Sequence, residues 1–221
     1  MPRRPSAGSR TQPVEATPEA IAVLRRDPVM AGLLNRFGPL DEVLRRRGRR
    51  PTEAYGALLR AIVGQQLSTK AARSIYGRLE AMFGDRAPTP AELLAADEEE
   101  VRGVGLSRSK VAYLRDLAGH AEDGRLELDC LAELPDDEVI AQLTAVKGLG
   151  EWTAHMFLVF HLGRPDVLPV GDLGIRNAAA LAYGLDSPPK PDELRELAEP
   201  WRPHRSLASL YLWRSLDSTP D

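Results

Sequence analysis

Short apolar blocks with helical spacing, each opened by a capping residue or a proline, constrain this 221-residue chain more than any other feature. Thr17-Pro18-Glu19 precedes Ile21, Leu24, Met30, Leu33 and Leu34, and Asp27-Pro28 is expected to break that run into two short helices. Pro51-Thr52-Glu53 opens a helix through Leu58, Leu59, Ile62 and Val63. Ser68-Thr69-Lys70 caps another, with Ala72, Ile75, Leu79 and Phe83 recurring at helical intervals. The same reasoning predicts helices over 89–96, 107–121, 136–144, 151–162, 172–183, 191–199 and 205–216. Alternating strand patterns are scarce. Val167-Leu168-Pro169-Val170 is the one extended candidate, and its proline favours a loop. The fold class is therefore all-α, as one large domain or two small lobes sharing a core.

Composition narrows the class further. Hydrophobic residues are 43% and charged residues 28%, an ordinary globular balance rather than a disordered or membrane one. No apolar run approaches the roughly 18 residues of a membrane span, so no membrane partner is expected. Residues 1–16, rich in Arg, Pro and Ser, read as a flexible basic tail without the apolar core of a secretory signal, leaving 17–221 as the helical domain. Cys130 is the only cysteine, which rules out an internal disulfide, a cysteine zinc site and a four-cysteine iron–sulfur cluster, and fits a reducing, cytoplasmic home. The net charge of −3 conceals an asymmetry: residues 1–50 carry eleven Arg against five acids, and the remainder is acidic. Arg suits phosphate through its planar fork, but an Arg bias also arises from genome composition, so charge alone decides nothing.

The stretch that carries chemistry is Leu143-Thr144-Ala145-Val146-Lys147-Gly148-Leu149-Gly150-Glu151-Trp152-Thr153-Ala154. A helix ends, two glycines make a tight turn, and a new helix begins at once. Backbone amides at such a helix start suit a phosphate oxygen, and glycine lets a nucleic-acid backbone approach closely. Read alone, the segment is more readily a helix–helix corner with a glycine C-cap. A second Gly-x-Gly stands at Gly103-Val104-Gly105. Asp166-Val167-Leu168-Pro169-Val170-Gly171-Asp172 then follows the helix beside Trp152.

Hairpin, glycines, helix, Pro/Gly loop and Asp in that order resemble the helix–hairpin–helix (HhH-GPD) DNA glycosylase superfamily, and within it the AlkA-type 3-methyladenine glycosylases. Three more segments carry the likeness: Ala61-Ile62-Val63-Gly64-Gln65-Gln66-Leu67-Ser68, Gly150-Glu151-Trp152-Thr153-Ala154, and Trp201-Arg202-Pro203-His204-Arg205-Ser206 with Tyr211-Leu212-Trp213. The resemblance implies a two-lobed helical fold with a DNA-binding, active-site cleft between the lobes and without an extra N-terminal β-domain. It also implies base-excision activity on alkylated purines of the 3-methyladenine and 7-methylguanine type, flipped out of damaged double-stranded DNA.

Residue by residue, the resemblance makes Asp172 the catalytic carboxylate, although spacing alone reads it equally as an N-cap. Family members that also cut the backbone have a lysine where this chain has Trp152, which implies a monofunctional enzyme leaving an abasic site. Trp152 and Trp213 become walls of the base pocket, where an electron-poor purine stacks. Met156 stands where an aromatic is familiar, and Tyr55 is a further pocket candidate. Gln65, Gln66 and Leu67 would enter the minor groove, one of them as the wedge. Lys147, Gly148, Leu149 and Gly150 would contact the DNA backbone, and the carbonyls of Thr144, Val146 and Leu149 would hold a monovalent cation, Na+ or K+. No cofactor is required and no iron–sulfur cluster is expected. Lys110, at the second hairpin, reads as a solvated residue or a phosphate contact, and His155 as a packing residue. The protein is expected to act as a monomer, in a bacterial cytoplasm at the nucleoid or otherwise inside the cell. Two rival readings stay open: a glycosylase for deaminated or oxidised bases, and a non-catalytic DNA-binding protein of the same architecture.

Overall fold

Capping side chains set where the helices of this protein begin. The computed structural model describes residues 14–40 and 53–216. In chain order the helices are α1 (Pro18–Leu24), α2 (Pro28–Phe37), α3 (Ala54–Gly64), α4 (Thr69–Met82), α5 (Pro90–Ala95) and α6 (Glu98–Gly103). They continue with α7 (Arg108–Glu122), α8 (Asp136–Thr144), α9 (Glu151–Phe160), α10 (Leu173–Tyr183), α11 (Pro191–Leu197), a 3₁₀ turn (Glu199–Trp201) and α12 (Arg205–Leu216). Thr17, Asp27, Ser68 and Ser107 each accept a first-turn amide of the helix that follows, and Thr89 with Glu92 forms a capping box. These acceptors satisfy amides that have no partner inside the helix.

Among the described residues there is no strand, and the fold is all-α as expected. Val167 to Val170 is a loop. Two details differ from the sequence reading. Helix α9 stops at Phe160 because the amides of His161 and Leu162 both donate to the Phe157 carbonyl and close the turn. Helix α6 was not anticipated; it follows the Asp97 cap and buries only Val101, too little for a periodic signal. The opening at Pro51-Thr52 and the tail over residues 1–13 lie outside the described residues, while Val14 is already buried. No described helix is long and apolar enough to cross a membrane.

The chain divides into two compact units, one within residues 51–154 and the other formed by 11–50 with 155–221. In the first, α7 packs against α3, α5 and α6. Its core is Leu58, Leu59, Ile62, Leu79, Leu93, Leu114, Leu117 and Leu143, all fully buried. The α8–α9 hairpin closes on that core. Gly148 adopts φ 83°, and a Cβ there would lie 2.3 Å from the Tyr113 ring, so glycine is required twice over.

In the second unit α12 packs on α10 and α2. Asp27 fastens its ends. One carboxylate oxygen caps α2 through Val29 and Met30, and the other accepts the Tyr183 hydroxyl and, at 3.0 Å, the Trp201 indole N–H. Burial opposes the charge on Asp27, but these donors outweigh it and hold the carboxyl below its usual range. A carboxylate lowered in this way stabilises the fold above its unfolded pKa, and that contribution fades as pH falls through the folded value.

Two stability predictions follow from these contacts. Gly148→Ala should lower the unfolding free energy in urea by about 2–5 kcal/mol, from left-handed backbone strain plus overpacking. Asp27→Ala should cost about 2–4 kcal/mol at neutral pH, from the lost cap and two orphaned donors. The difference between wild type and Asp27→Asn should shrink as the solution is acidified.

Candidate active site

Two groups of sequence-predicted residues form, one in each unit. In the first unit, α8 ends with the Thr144 hydroxyl donating to the Ile140 carbonyl at 2.7 Å. The Lys147 amide donates to Asp116 Oδ2 at 2.8 Å, and the Leu149 amide to the Val146 carbonyl at 3.1 Å. Val146 and Leu149 point into the core, whereas Thr144, Lys147 and Gly150 are exposed. A Cβ on Gly150 would meet nothing within 4 Å, so the backbone there faces open space at the start of α9. Thr144, Val146 and Leu149, whose carbonyls were expected to hold a cation, all lie on this hairpin, and the Val146 carbonyl accepts the Leu149 amide. Among the described residues no cluster of His, Cys, Asp or Glu could hold a metal ion.

The predicted wedge residues form a tight turn after α3. The Leu67 amide donates to the Gly64 carbonyl at 3.2 Å. Gln65 has φ −54° and ψ 132°, and Gln66 has φ 57°. That is the signature of a type II turn, in which the third position usually holds glycine. A glutamine there stores roughly 1–3 kcal/mol of strain, a cost that concentrates at functional loops. The Gln65 amide is committed to the hairpin, donating to the Gly148 carbonyl at 2.6 Å. Gln66 and Leu67 are exposed, Leu67 by 38%, and so remain the two residues presented outward. Lys110, expected to be solvated or to meet a phosphate, is instead engaged with backbone of its own unit. Its ammonium donates to the carbonyls of Val63 and Gln65 at 2.8 and 2.7 Å.

Trp152, in the first turn of α9, is 49% exposed, unusually open for an indole. Met156 follows one turn later and is half-buried. Tyr55 is not brought to the hairpin. It is buried in the first turn of α3, ten residues or about 15 Å along the axis from Gln65. Its hydroxyl finds no hydrogen-bond partner, and burial, with Glu122 and Tyr76 nearby, pushes its pKa up.

In the second unit Asp172, the expected catalytic carboxylate, caps α10. Its Oδ1 accepts the Ile175 amide at 2.8 Å and the Trp213 indole N–H at 3.0 Å. Trp213 lies against Phe160, with ring centroids 5.7 Å apart and planes at 22°. A Cβ on Gly174 would come within 2.9 Å of Asp172 Oδ1, so glycine there leaves the carboxylate its position. The loop leading to Asp172 is stitched to α12. Asp166 accepts two nitrogens of Arg205, at 2.7 and 3.0 Å, and Arg202 at 2.6 Å. The Ser206 hydroxyl donates to the Arg164 carbonyl at 2.7 Å and accepts the Val167 amide at 2.9 Å. The sequence reading gave Arg202, Arg205, Ser206 and Gly174 no role. Arg202, Arg205 and Ser206 stood in a segment that carried the family likeness, whereas nothing in the sequence marked Gly174.

The chain as a whole has known relatives. Residues 59–203 match the family model described as HhH-GPD superfamily base excision DNA repair protein. DNA-3-methyladenine glycosylase 1 of Schizosaccharomyces pombe is 36% identical over 171 residues, covering 76% of this chain and 75% of that protein. A Bacillus subtilis protein described as a putative DNA-3-methyladenine glycosylase is 31% identical over 74% of this chain, which spans 59% of its length. The solved structure of the Schizosaccharomyces pombe 3-methyladenine DNA glycosylase in complex with abasic DNA superposes with TM-score 0.78. The two are 32% identical, with 90% of this chain and 97% of that one covered. With about two thirds of its length under one family model and a relative 36% identical over 76% of it, this chain belongs to the HhH-GPD superfamily of base excision DNA repair proteins.

Proposed function

We propose that this chain is a DNA glycosylase that hydrolyses the N-glycosidic bond of alkylated purines in duplex DNA, releasing the free base and leaving an abasic site. The observation that carries the reading is the carboxylate of Asp172, held by a backbone amide and an indole N–H at the start of α10. A 3-methylated adenine carries positive charge while attached to the sugar. When the C1′–N bond breaks, the electron pair goes to the base, which departs neutral and needs no acid. The sugar is left as an oxocarbenium ion. A fixed carboxylate stabilises that cation and takes the proton from the water that adds to C1′. Because Oδ1 is oriented by two donors, the charge does not have to reorganise as the transition state forms.

The exposed indole of Trp152 supports the same substrate class, since an aromatic face attracts an electron-poor cationic purine. Its position, two residues after Gly150, is the one at which a lysine would be needed to form a Schiff base with the sugar. No lyase step is therefore assigned. The open backbone of Gly150 and the outward Lys147 suit a phosphate of the duplex. A monovalent cation at the carbonyls of Thr144, Val146 and Leu149 would add positive charge beside that phosphate. The protein acts in whichever compartment holds the genome it repairs.

Incubation with methylated duplex DNA tests this reading directly. Free 3-methyladenine should appear, with strand breaks only after alkali and no protein–DNA adduct trapped by borohydride. Absence of base release in the presence of tight DNA binding would contradict it. Trp213→Phe tests the carboxylate geometry, since it keeps an aromatic ring and removes the indole donor. It should lower the single-turnover rate about tenfold or more, the worth of a hydrogen bond to a charged group, with little change in DNA affinity.

A further inference from the structure

Lys110 breaks a local rule. It is the third residue of α7, where the helix macrodipole disfavours a cation. Its own amide is already used, donating to the Ser107 hydroxyl at 3.2 Å. The compensation comes from another helix. The ammonium reaches the C-terminal end of α3, where carbonyls lack intrahelical partners and the dipole is negative, and donates to Val63 and Gln65 at 2.8 and 2.7 Å. Burial lowers the pKa of this amine, as expected of an ammonium withdrawn from water.

The residue it grips is the first central residue of the strained turn. Gln65 is held twice, by Lys110 at its carbonyl and by the Gly148 carbonyl at its side-chain amide, 2.6 Å away. The hairpin is itself fixed from the same helix. Asp116 accepts the Lys147 amide at 2.8 Å, and the Tyr113 ring fills the space beside Gly148. Thus α7 holds the turn through Lys110 and the hairpin through Tyr113 and Asp116, and Gln65 ties the two together. Gln66 keeps its positive φ, and Leu67 its exposure, within this frame.

We propose that Lys110 is a positioning residue that locks the Gln65–Leu67 turn to the hairpin, fixing the direction in which Gln66 and Leu67 are presented to the DNA without itself contacting a phosphate. This rests on the reading of the protein as a base-flipping glycosylase whose turn fills the space vacated in the duplex. The lock works by pre-organisation. An ordered wedge does not have to be frozen when DNA binds, and a free one does.

A probe independent of base release separates the two readings. The full chain is titrated against duplex DNA carrying a tetrahydrofuran abasic analogue beside 2-aminopurine, whose fluorescence reports insertion of a side chain. The salt dependence of affinity for undamaged duplex is measured in parallel. Wild type should change the fluorescence, and Leu67→Ala should abolish the change. Lys110→Met should weaken the fluorescence-detected affinity about tenfold, as expected for loss of charged hydrogen bonds, while the salt slope stays at the wild-type value. Gln65→Leu removes the other half of the lock without altering charge. It should show the same loss, and it serves as the test should circular dichroism show Lys110→Met unfolded.

A Lys110→Met protein whose salt slope falls by about one unit with the fluorescence change intact would be a lost phosphate contact and would overturn the proposal. So would a variant unchanged in both. If wild type itself gives no fluorescence change, the wedge reading of the turn fails, and the lock falls with it; that outcome is distinct from one in which only the Lys110 variant behaves as wild type.

Discussion

The arrangement of the second unit turns on a single oxygen. Oδ1 of Asp172 accepts the first-turn amide of Ile175 and the indole N–H of Trp213, so the carboxylate that starts α10 cannot rotate without breaking one of the two bonds. Much of the second unit serves that geometry. Gly174 leaves room for the oxygen, and Phe160 backs the indole. Asp166, Arg202, Arg205 and Ser206 stitch the preceding loop to α12, which carries Trp213. The far end of α10 is fixed as well, through the Tyr183 hydroxyl on Asp27. Capping and the proposed catalysis would use the same atom and do not compete: the amide that the helix must satisfy is also a donor that orients the charge.

On the proposed function, the hairpin unit has a different problem to solve, which is to present backbone to a polyanion without losing the fold. Its glycines divide the work. Gly148 is bound by the Tyr113 ring and a positive φ, whereas Gly150 has open space around it. The first is a requirement of packing and the second a requirement of approach. One Gly-x-Gly pattern in the sequence thus stands for two separate physical demands.

Helix starts were legible because their signals are local. Thr17, Asp27, Ser68, Thr89 and Ser107 act within three residues of themselves, and the structure uses each as a cap. Asp172 was legible as a cap for the same reason, whereas its candidacy as the catalytic group came from its family surroundings. What sequence reasoning missed was long-range. Lys110 finds its acceptors 45 and 47 residues away. Trp201 finds its acceptor on Asp27, 174 residues away. No periodicity encodes such pairs. The turn at Gln66 was hidden for another reason: a type II turn is announced by glycine, and here glutamine holds the position. Tyr55, a pocket candidate from the resemblance, stands in the first turn of α3, about 15 Å along the helix axis from the turn at Gln65.

The most direct test of the central claim is the single-turnover rate of base release by Asp172→Asn from duplex DNA with a methylated purine. An asparagine oxygen can still accept from Ile175 and Trp213, so the cap and the fold are kept while the charge is removed. The expected result is a loss of about a hundredfold or more in rate with DNA affinity unchanged within a few-fold. Release at close to the wild-type rate would mean that the Asp172 charge does not drive the reaction.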